Sequence, residues 1–533
     1  MEAIFYHSGL PSGPVLVART GATLWKAPTG PEAYRVIREL RAVGNHALKQ
    51  VWEDDLALKL HTILNSMEVK WTSTDVVCIA NEGESSAPVI LWIGVIPKSL
   101  SGDDGVIVAS KCRELLVEFS ITDVDVEIRE SVVTRSANLR SAGPRLLDLD
   151  PYSYCDPTLG VREPLRSTLG LPICAQSMPL AEGTGGFFIT EGGNAERLLL
   201  VTARHVIFTP DNNKHFEHKD GSQGRYNVML FGDVAFNKYL ESIKDKIRSA
   251  AFYIEFYERC IREVEGMDDL VADKRQQELQ DAQRKLEKAR EAREKHNTFY
   301  EDILARWATP ESRLLGHVAL SPSINLGSSR GYTEDWAIIE IDASKVDASN
   351  FDGNAIDLIG TDVGQFSLMM NPDPRNAHPF TYPVDRLLRF KGIIPDEEMR
   401  CPTSLDQNDN PCLLVIKRGN TTGLTVGRAN DICSYAHNYY DDGKAETSKE
   451  WAILPFNSTS GAFSAMGDSG SVIVDGSGRF GGLLTGGAGS THSLDITYAT
   501  PISFLLKRME HNGLHNLNIN PVLTVTPEAH SPA

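Results

Sequence analysis

The run Gly467-Asp468-Ser469-Gly470-Ser471 constrains this chain more than any other stretch. Gly467, two residues before Ser469, lets the backbone turn sharply, so that the amides of Gly467 and Ser469 can point at one spot. A serine hydroxyl attacks a carbonyl only when a base removes its proton and donors stabilise the oxyanion that forms. The same residue types also make ordinary turns, so the reading depends on partners elsewhere in the chain.

Two upstream stretches supply them. Val201-Thr202-Ala203-Arg204-His205-Val206 follows the apolar Leu198-Leu199-Leu200, which puts His205 at the end of a strand. Asp335 opens Trp336-Ala337-Ile338-Ile339-Glu340-Ile341, a run that alternates like a strand, with Glu334, Asp342 and Asp347 as nearby carboxylates. The chain order is therefore His, Asp, Ser, one of the three orders in which such triads recur.

With these residues in that order, the segment from about 180 to 508 resembles the trypsin-like (chymotrypsin-fold) serine peptidases. Gly183-Thr184-Gly185-Gly186-Phe187-Phe188-Ile189 resembles the opening strand of their first barrel, and Thr202-Ala203-Arg204-His205 the histidine turn. Lys417-Arg418-Gly419-Asn420-Thr421-Thr422-Gly423-Leu424-Thr425-Val426-Gly427 is similar to the strand that opens the second barrel. Gly481-Gly482-Leu483-Leu484-Thr485-Gly486-Gly487 resembles the strand beside the substrate, and Thr497-Tyr498-Ala499-Thr500-Pro501-Ile502 the one that closes the pocket. The resemblance implies a mainly β, two-barrel chymotrypsin-like domain with the triad between the barrels. His205 is carried over as general base, Asp335 as its orienter, Ser469 as nucleophile, and the Gly467 and Ser469 amides as the oxyanion hole. Peptide bonds are then hydrolysed through an acyl-enzyme, with no metal or organic cofactor, and activity rises with pH as the histidine loses its proton.

The same comparison bears on type, activation and selectivity. Secreted trypsins carry a cysteine after the histidine and another before the serine turn; Val206 and Ala465 stand there, as in intracellular members. Secreted trypsins are activated when a freed amino terminus pairs with the aspartate at the place of Asp468. No Ile-Val-Gly-Gly-like site precedes Gly183, so the analogy is to members active without that cleavage. Phe463 falls near the bottom of the primary pocket, which argues against Arg or Lys and for a small or apolar side chain at the cleaved bond, unless His492 enters the pocket and favours acidic residues. Thr485, Gly486 and Gly487 become the rail that pairs with an extended peptide. The alternative is an inactive scaffold acting through its helical hairpin and N-terminal domain.

The remaining chain fits around that domain. Residues 1–140 read as a small α/β domain for docking or regulation: a helix between Pro31 and Glu68, strands at Val76–Ala80 and Val89–Val95, a helix at Val106–Phe119 and a strand at Val124–Val133. Residues 141–179 are a proline-rich connector, 180–510 the peptidase domain and 511–533 a flexible tail. Within the domain, Phe236, Leu240, Ile243, Ile247, Ala250, Ile254, Tyr257, Ile261 and Val264 recur at alternating spacings of four and three. Leu279, Ala282, Leu286 and Ala289 continue the seam, so 236–308 is an inserted coiled-coil helical hairpin, open to a protein partner or to self-association. Ala436–Glu450 reads as a polar hairpin or lid. The net charge of −18 argues against a nucleic-acid partner. No apolar run spans a membrane and no secretory signal is visible, so the expected location is intracellular, cytoplasmic or nuclear. Eight scattered cysteines suit reduced, buried residues rather than a disulfide framework.

Overall fold

The computed structural model describes residues 1–25, 37–84, 87–134, 146–147, 156–192, 194–219, 224–267, 272–326, 331–373, 375–376, 379–406, 410–439, 445–490 and 493–523. It is a mixed α/β chain of largely antiparallel sheets with one long helical pair.

The N-terminal unit is built on β1 (Leu16–Arg19), β2 (Arg38–Arg41), β3 (Trp71–Asn81), β4 (Val89–Val95), β5 (Asp125–Glu130) and β6 (Val132–Thr134). β3 and β4 are buried along nearly their whole length, which is why they read as continuous apolar runs. β4 and β5 run parallel, joined through the helix Gly102–Glu118, whose first turn is capped by the Ser101 hydroxyl accepting from the Asp104 amide at 3.1 Å. The helix expected from Pro31 to Glu68 is only partly formed. Residues 26–36 lie outside the described set, Arg38–Arg41 is β2, and regular helix covers Ala57–Ser66 alone. Leu40 pairs opposite Ile79 and is buried on the sheet, while Gly44, at φ +67°, turns the chain out of it. Burial against β3 outweighs the helical spacing of the apolar residues.

The next sheet comprises β7 (Leu171–Ala175), β8 (Gly183–Gly185), β9 (Phe187–Glu191), β10 (Asn194–Thr202), β11 (Phe216–Glu217), β12 (Asn227–Leu230), β13 (Leu314–Ser321) and β14 (Ala337–Ile341), and Leu517–Asn518, within the segment expected to be a flexible tail, adds to it by pairing with β9. Its pairings run β9-β10-β14-β13-β12-β7-β8, and only Gly186 separates β8 from β9, so the path returns on itself. β15 (Ala355–Asp357) and β16 (Leu387–Arg389) form a separate pair. The last group is β17 (Leu413–Gly419), β18 (Gly423–Ala429), β19 (Ser434–Tyr439), β20 (Ala445–Pro455), β21 (Val472–Asp475), β22 (Phe480–Gly489) and β23 (Leu494–Pro501). β20, β18, β17, β21, β22 and β23 pair in that order, and β23 also pairs with β20, closing a ring of six. The helix Ile502–His511 follows, and its Leu505 and Met509 are buried.

Two junctions bind the N-terminal unit to this ring. β19 pairs with β3, with Tyr435 opposite Thr74, and β6 pairs with β22, with Thr134 opposite Gly487. The segment read as a polar hairpin or lid is thus the β19–β20 hairpin, carrying one sheet into the other. Fully buried Arg129 donates to Asp495 at 2.8 Å and to Asp75 at 3.2 Å, bridging β5, β3 and β23.

The helical pair forms where the heptad pattern places it. Its arms are Asp233–Glu265 and Ala272–Trp307; residues 268–271 lie outside the described set. Phe236, Leu240 and Ile243 pack with Phe299, Ile303 and Trp307 into the main core at the base, so the pair is rooted rather than tethered. Phe252, Tyr253 and Phe256 stay exposed on the first arm. Among the described residues no helix is long and apolar enough to cross a membrane.

Candidate active site

Antiparallel pairing of β10 with β14 sets Thr202 opposite Ala337. The chain leaving β10 and the chain entering β14 therefore meet at one end of the sheet, which is where His205 and Asp335 sit. His205 Nδ1 donates to Asp335 Oδ2 at 2.6 Å, and its backbone amide donates to Asp335 Oδ1 at 3.1 Å. Both carboxylate oxygens are acceptors, so the shared proton belongs on Nδ1 and the Nε2 lone pair of the neutral ring is left for a reacting hydroxyl. Nε2 is buried and hydrogen-bonded to none of the described residues. The competing carboxylates are otherwise engaged: Glu334 accepts from Arg508 at 2.9 Å and Asn512 at 3.2 Å, and Asp342 accepts from the Ser344 amide.

Arg204 holds this end of the sheet. Its buried guanidinium donates to the carbonyls of Ser321, Asn212 and Lys214 and to Ser321 Oγ, and Ser321 Oγ donates in turn to Trp336 O at 3.0 Å. The loops on either side of His205 and Asp335 are thereby tied to one cation. Burial pushes the Arg204 guanidinium down to about 10.

Ser469 is seated against the same sheet from the other one, through Thr184 of β8. Thr184 N donates to Ser469 O at 2.8 Å, and Thr184 Oγ1 donates to Gly467 O at 3.0 Å. Gly470 has φ +90°, and a Cβ there would lie 2.2 Å from Thr184 O, 2.3 Å from Thr202 Oγ1 and 3.1 Å from Ala203 N. The turn thus rests on Thr184 of β8 and on Thr202 and Ala203, which lead into the histidine turn. The Ser469 hydroxyl itself hydrogen-bonds to none of the described residues, so His205 and Asp335 are joined directly whereas the Ser469–His205 bond is not made. Replacing Gly470 by alanine is expected to cost about 2–4 kcal/mol through strain at positive φ and overlap with backbone, measured as a drop in the urea midpoint.

The amides around Ser469 divide sharply. Those of Asp468, Gly470 and Ser471 donate to Ala465 O, Leu484 O and Asp468 O. The amides of Gly467 and Ser469 donate to nothing among the described residues, and Gly467 has φ +97°. Two unpaired donors flanking one aspartate are what an oxyanion needs.

That aspartate is fixed from below. Asp468 is fully buried and accepts from the amides of Thr421 at 2.8 Å, Thr422 at 3.1 Å and Ala465 at 3.0 Å, and from Thr422 Oγ1 at 2.6 Å. Lys417 Nζ, also fully buried, lies 3.1 Å from Asp468 Oδ2 and reaches Thr422 Oγ1 and Gly423 O. Burial lowers the lysine below its ordinary range, against the pull of Asp468. The β17–β18 turn presses close enough that a Cβ on Gly419 would meet Asp468 Oδ1 at 2.3 Å. In the sequence Lys417 stands only as one residue of a strand, and this role is not evident from the motif alone. The signal was there: Leu413, Val415 and Lys417 share one face of β17, and the first two are core residues.

Of the expected substrate contacts, Thr485, Gly486 and Gly487 lie on buried β22, with Leu484 bonded both ways to the serine turn through Gly470 N and Ser471 O. Phe463 packs with Val415, Trp451, Ile473 and Leu484 in a core cluster, and Gly427 makes room for its ring. His492 lies outside the described residues. No protein-family model and no curated protein matches the chain.

Proposed function

We propose that this chain is a serine endopeptidase of chymotrypsin-like fold, its two rings of strands serving as the two barrels and its site lying between them. The observation that carries the reading is the 2.6 Å bond from His205 Nδ1 to Asp335, set beside a serine turn with two unpaired amides. In this reading His205 Nε2 takes the Ser469 proton as Oγ attacks the peptide carbonyl. Asp335 fixes the tautomer and stabilises the imidazolium, and the Gly467 and Ser469 amides donate to the oxyanion. His205 then gives the proton to the leaving amine. Water, deprotonated by the same nitrogen, releases the acyl group from Ser469. The unmade Ser469–His205 bond favours the inactive scaffold, but such bonds are often long before substrate binds.

Fluorophosphonate labelling decides between them, because the probe needs an activated serine and little else. Wild type is expected to label, while Ser469→Ala and His205→Ala are not. Folded wild type that stays unlabelled overturns the peptidase reading.

A further inference from the structure

β22 has one edge bonded to β23 along Gly482–Gly489. Its other edge, at the end beyond Thr485, is where an extended substrate would add as a strand. That edge is taken. Thr134 stands opposite Gly487, Val133 opposite Ala488 and Val132 opposite Gly489, in an antiparallel ladder. β6 runs towards the Leu484 end of β22, the end hydrogen-bonded to the serine turn. In a regular antiparallel ladder, a peptide whose cleaved residue lies opposite Thr485 has its second residue opposite Gly486 and its third opposite Gly487. Thr134 holds that third place, with the direction a substrate would have.

The strand is also held there firmly. Ser131, the residue between β5 and β6, donates from its amide to Val95 O at 2.9 Å and accepts from Thr72 Oγ1 at 3.1 Å. Two residues earlier, Arg129 makes its buried contacts with Asp495 and Asp75, and Tyr498 Oη donates to Asp75 at 2.8 Å. Ser12 donates to Asp495 from its amide at 2.7 Å and from its hydroxyl at 2.5 Å. A casual edge contact would not be clamped by a buried ion cluster.

We propose that Val132–Thr134 is a peptide bound in cis on the substrate rail, so that the partner of this surface in the resting protein is the chain's own N-terminal unit. The inference rests on the peptidase reading. An extended substrate and β6 cannot both pair with Gly487–Gly489, so the full-length protein engages long chains only when β6 gives way. A small electrophile that needs Ser469 and not the rail is unaffected. The N-terminal unit is thereby an intramolecular competitor that sets which substrates reach the serine.

The test compares two reactions of the full-length protein. Fluorophosphonate labelling reports on Ser469 and His205, whereas digestion of fluorescein-labelled casein, an unfolded chain, also requires the rail. In Val133→Pro/Thr134→Pro, adjacent prolines remove donors on both edges of β6. This variant is expected to label within twofold of wild type and to digest casein at least tenfold faster. A synthetic peptide of residues 126–134 should slow it again. Val133→Gly/Thr134→Gly, which weakens the strand without removing donors, should lie between, and it serves if the proline variant does not fold. Equal labelling with casein rates within twofold of wild type overturns the inference while leaving the peptidase reading intact. Absence of labelling in wild type and variants alike removes both.

Discussion

Lys417→Met is expected to reduce the rate of fluorophosphonate labelling by at least a hundredfold while Ser469 and His205 remain in place. The substitution keeps the volume in β17 but leaves Asp468 as a buried carboxylate with no cation within reach. Breaking a buried pair in this way costs about 3–5 kcal/mol. The serine turn is the part free to relax, because Asp468 is its second residue and the Gly467 and Ser469 amides flank it. If Asp468 swings out to water, those amides are no longer held in place, and loss of a single oxyanion donor already costs about 10²–10³ in rate. The wild type carries a matching pH signature. Lys417 is held below the ordinary lysine range by burial, so the ammonium that anchors Asp468 is lost as pH rises through that lowered value, and labelling should fall on the alkaline side accordingly. Lys417→Met that is folded by circular dichroism and labels at the wild-type rate would remove Lys417 from the machinery. Under the peptidase reading the pair also bears on activation: we propose that Lys417 supplies the cation that a freed amino terminus brings to this aspartate in secreted trypsins.

Much of this site was legible because its chemistry is local. Gly467–Ser471 needs glycines at two positive-φ positions, His205 follows closely on an apolar strand, and Asp335 shortly precedes one; each is a short-range pattern. The helical pair was equally plain, since a seam at alternating three and four is a property of the arm itself. What stayed hidden depends on pairing between distant segments. Nothing near Val132 says that it adds to β22, or near Ala436 that it adds to β3. Arg129, Asp75 and Asp495 lie in three separate strands, and each alone reads as a surface charge. The segment Arg38–Arg41 misled for the same reason, because an apolar residue every third or fourth place fits a helix until a neighbouring strand edge competes for it. Phe463 was placed by its distance from Ser469, whereas its burial is decided by the gap that Gly427 leaves across β18.

The junction of the N-terminal unit with β19 should be the acid-labile part of the molecule. Trp71 lies between two imidazoles, stacked on His61 at 4.4 Å and on His437 at 4.2 Å. His61 Nε2 is within 2.9 Å of Thr74 Oγ1 and His437 Nδ1 within 2.7 Å of Thr447 Oγ1, both neutral partners, with the Tyr435 and Tyr439 rings edge-on to the stack. No carboxylate is among these contacts to stabilise a charged ring. Burial lowers His61 to about 3, with His437 adding to the effect, and burial lowers His437 to about 4. Between these values and the unfolded-chain value of about 6.5 the unfolded state binds more protons than the folded one, so stability is fully present above that value and is lost as pH falls. At about 1.4 kcal/mol per pH unit for each histidine, the loss between pH 7 and pH 4.5 is roughly 5 kcal/mol for the two. His437→Phe keeps an aromatic ring against Trp71 and removes one titrating group, so about half of that pH-dependent loss should disappear. Urea midpoints of wild type and variant at pH 7 and pH 4.5 measure it. Parallel pH dependences would mean that the stack takes up protons without unfolding, which the absence of a carboxylate among these contacts argues against.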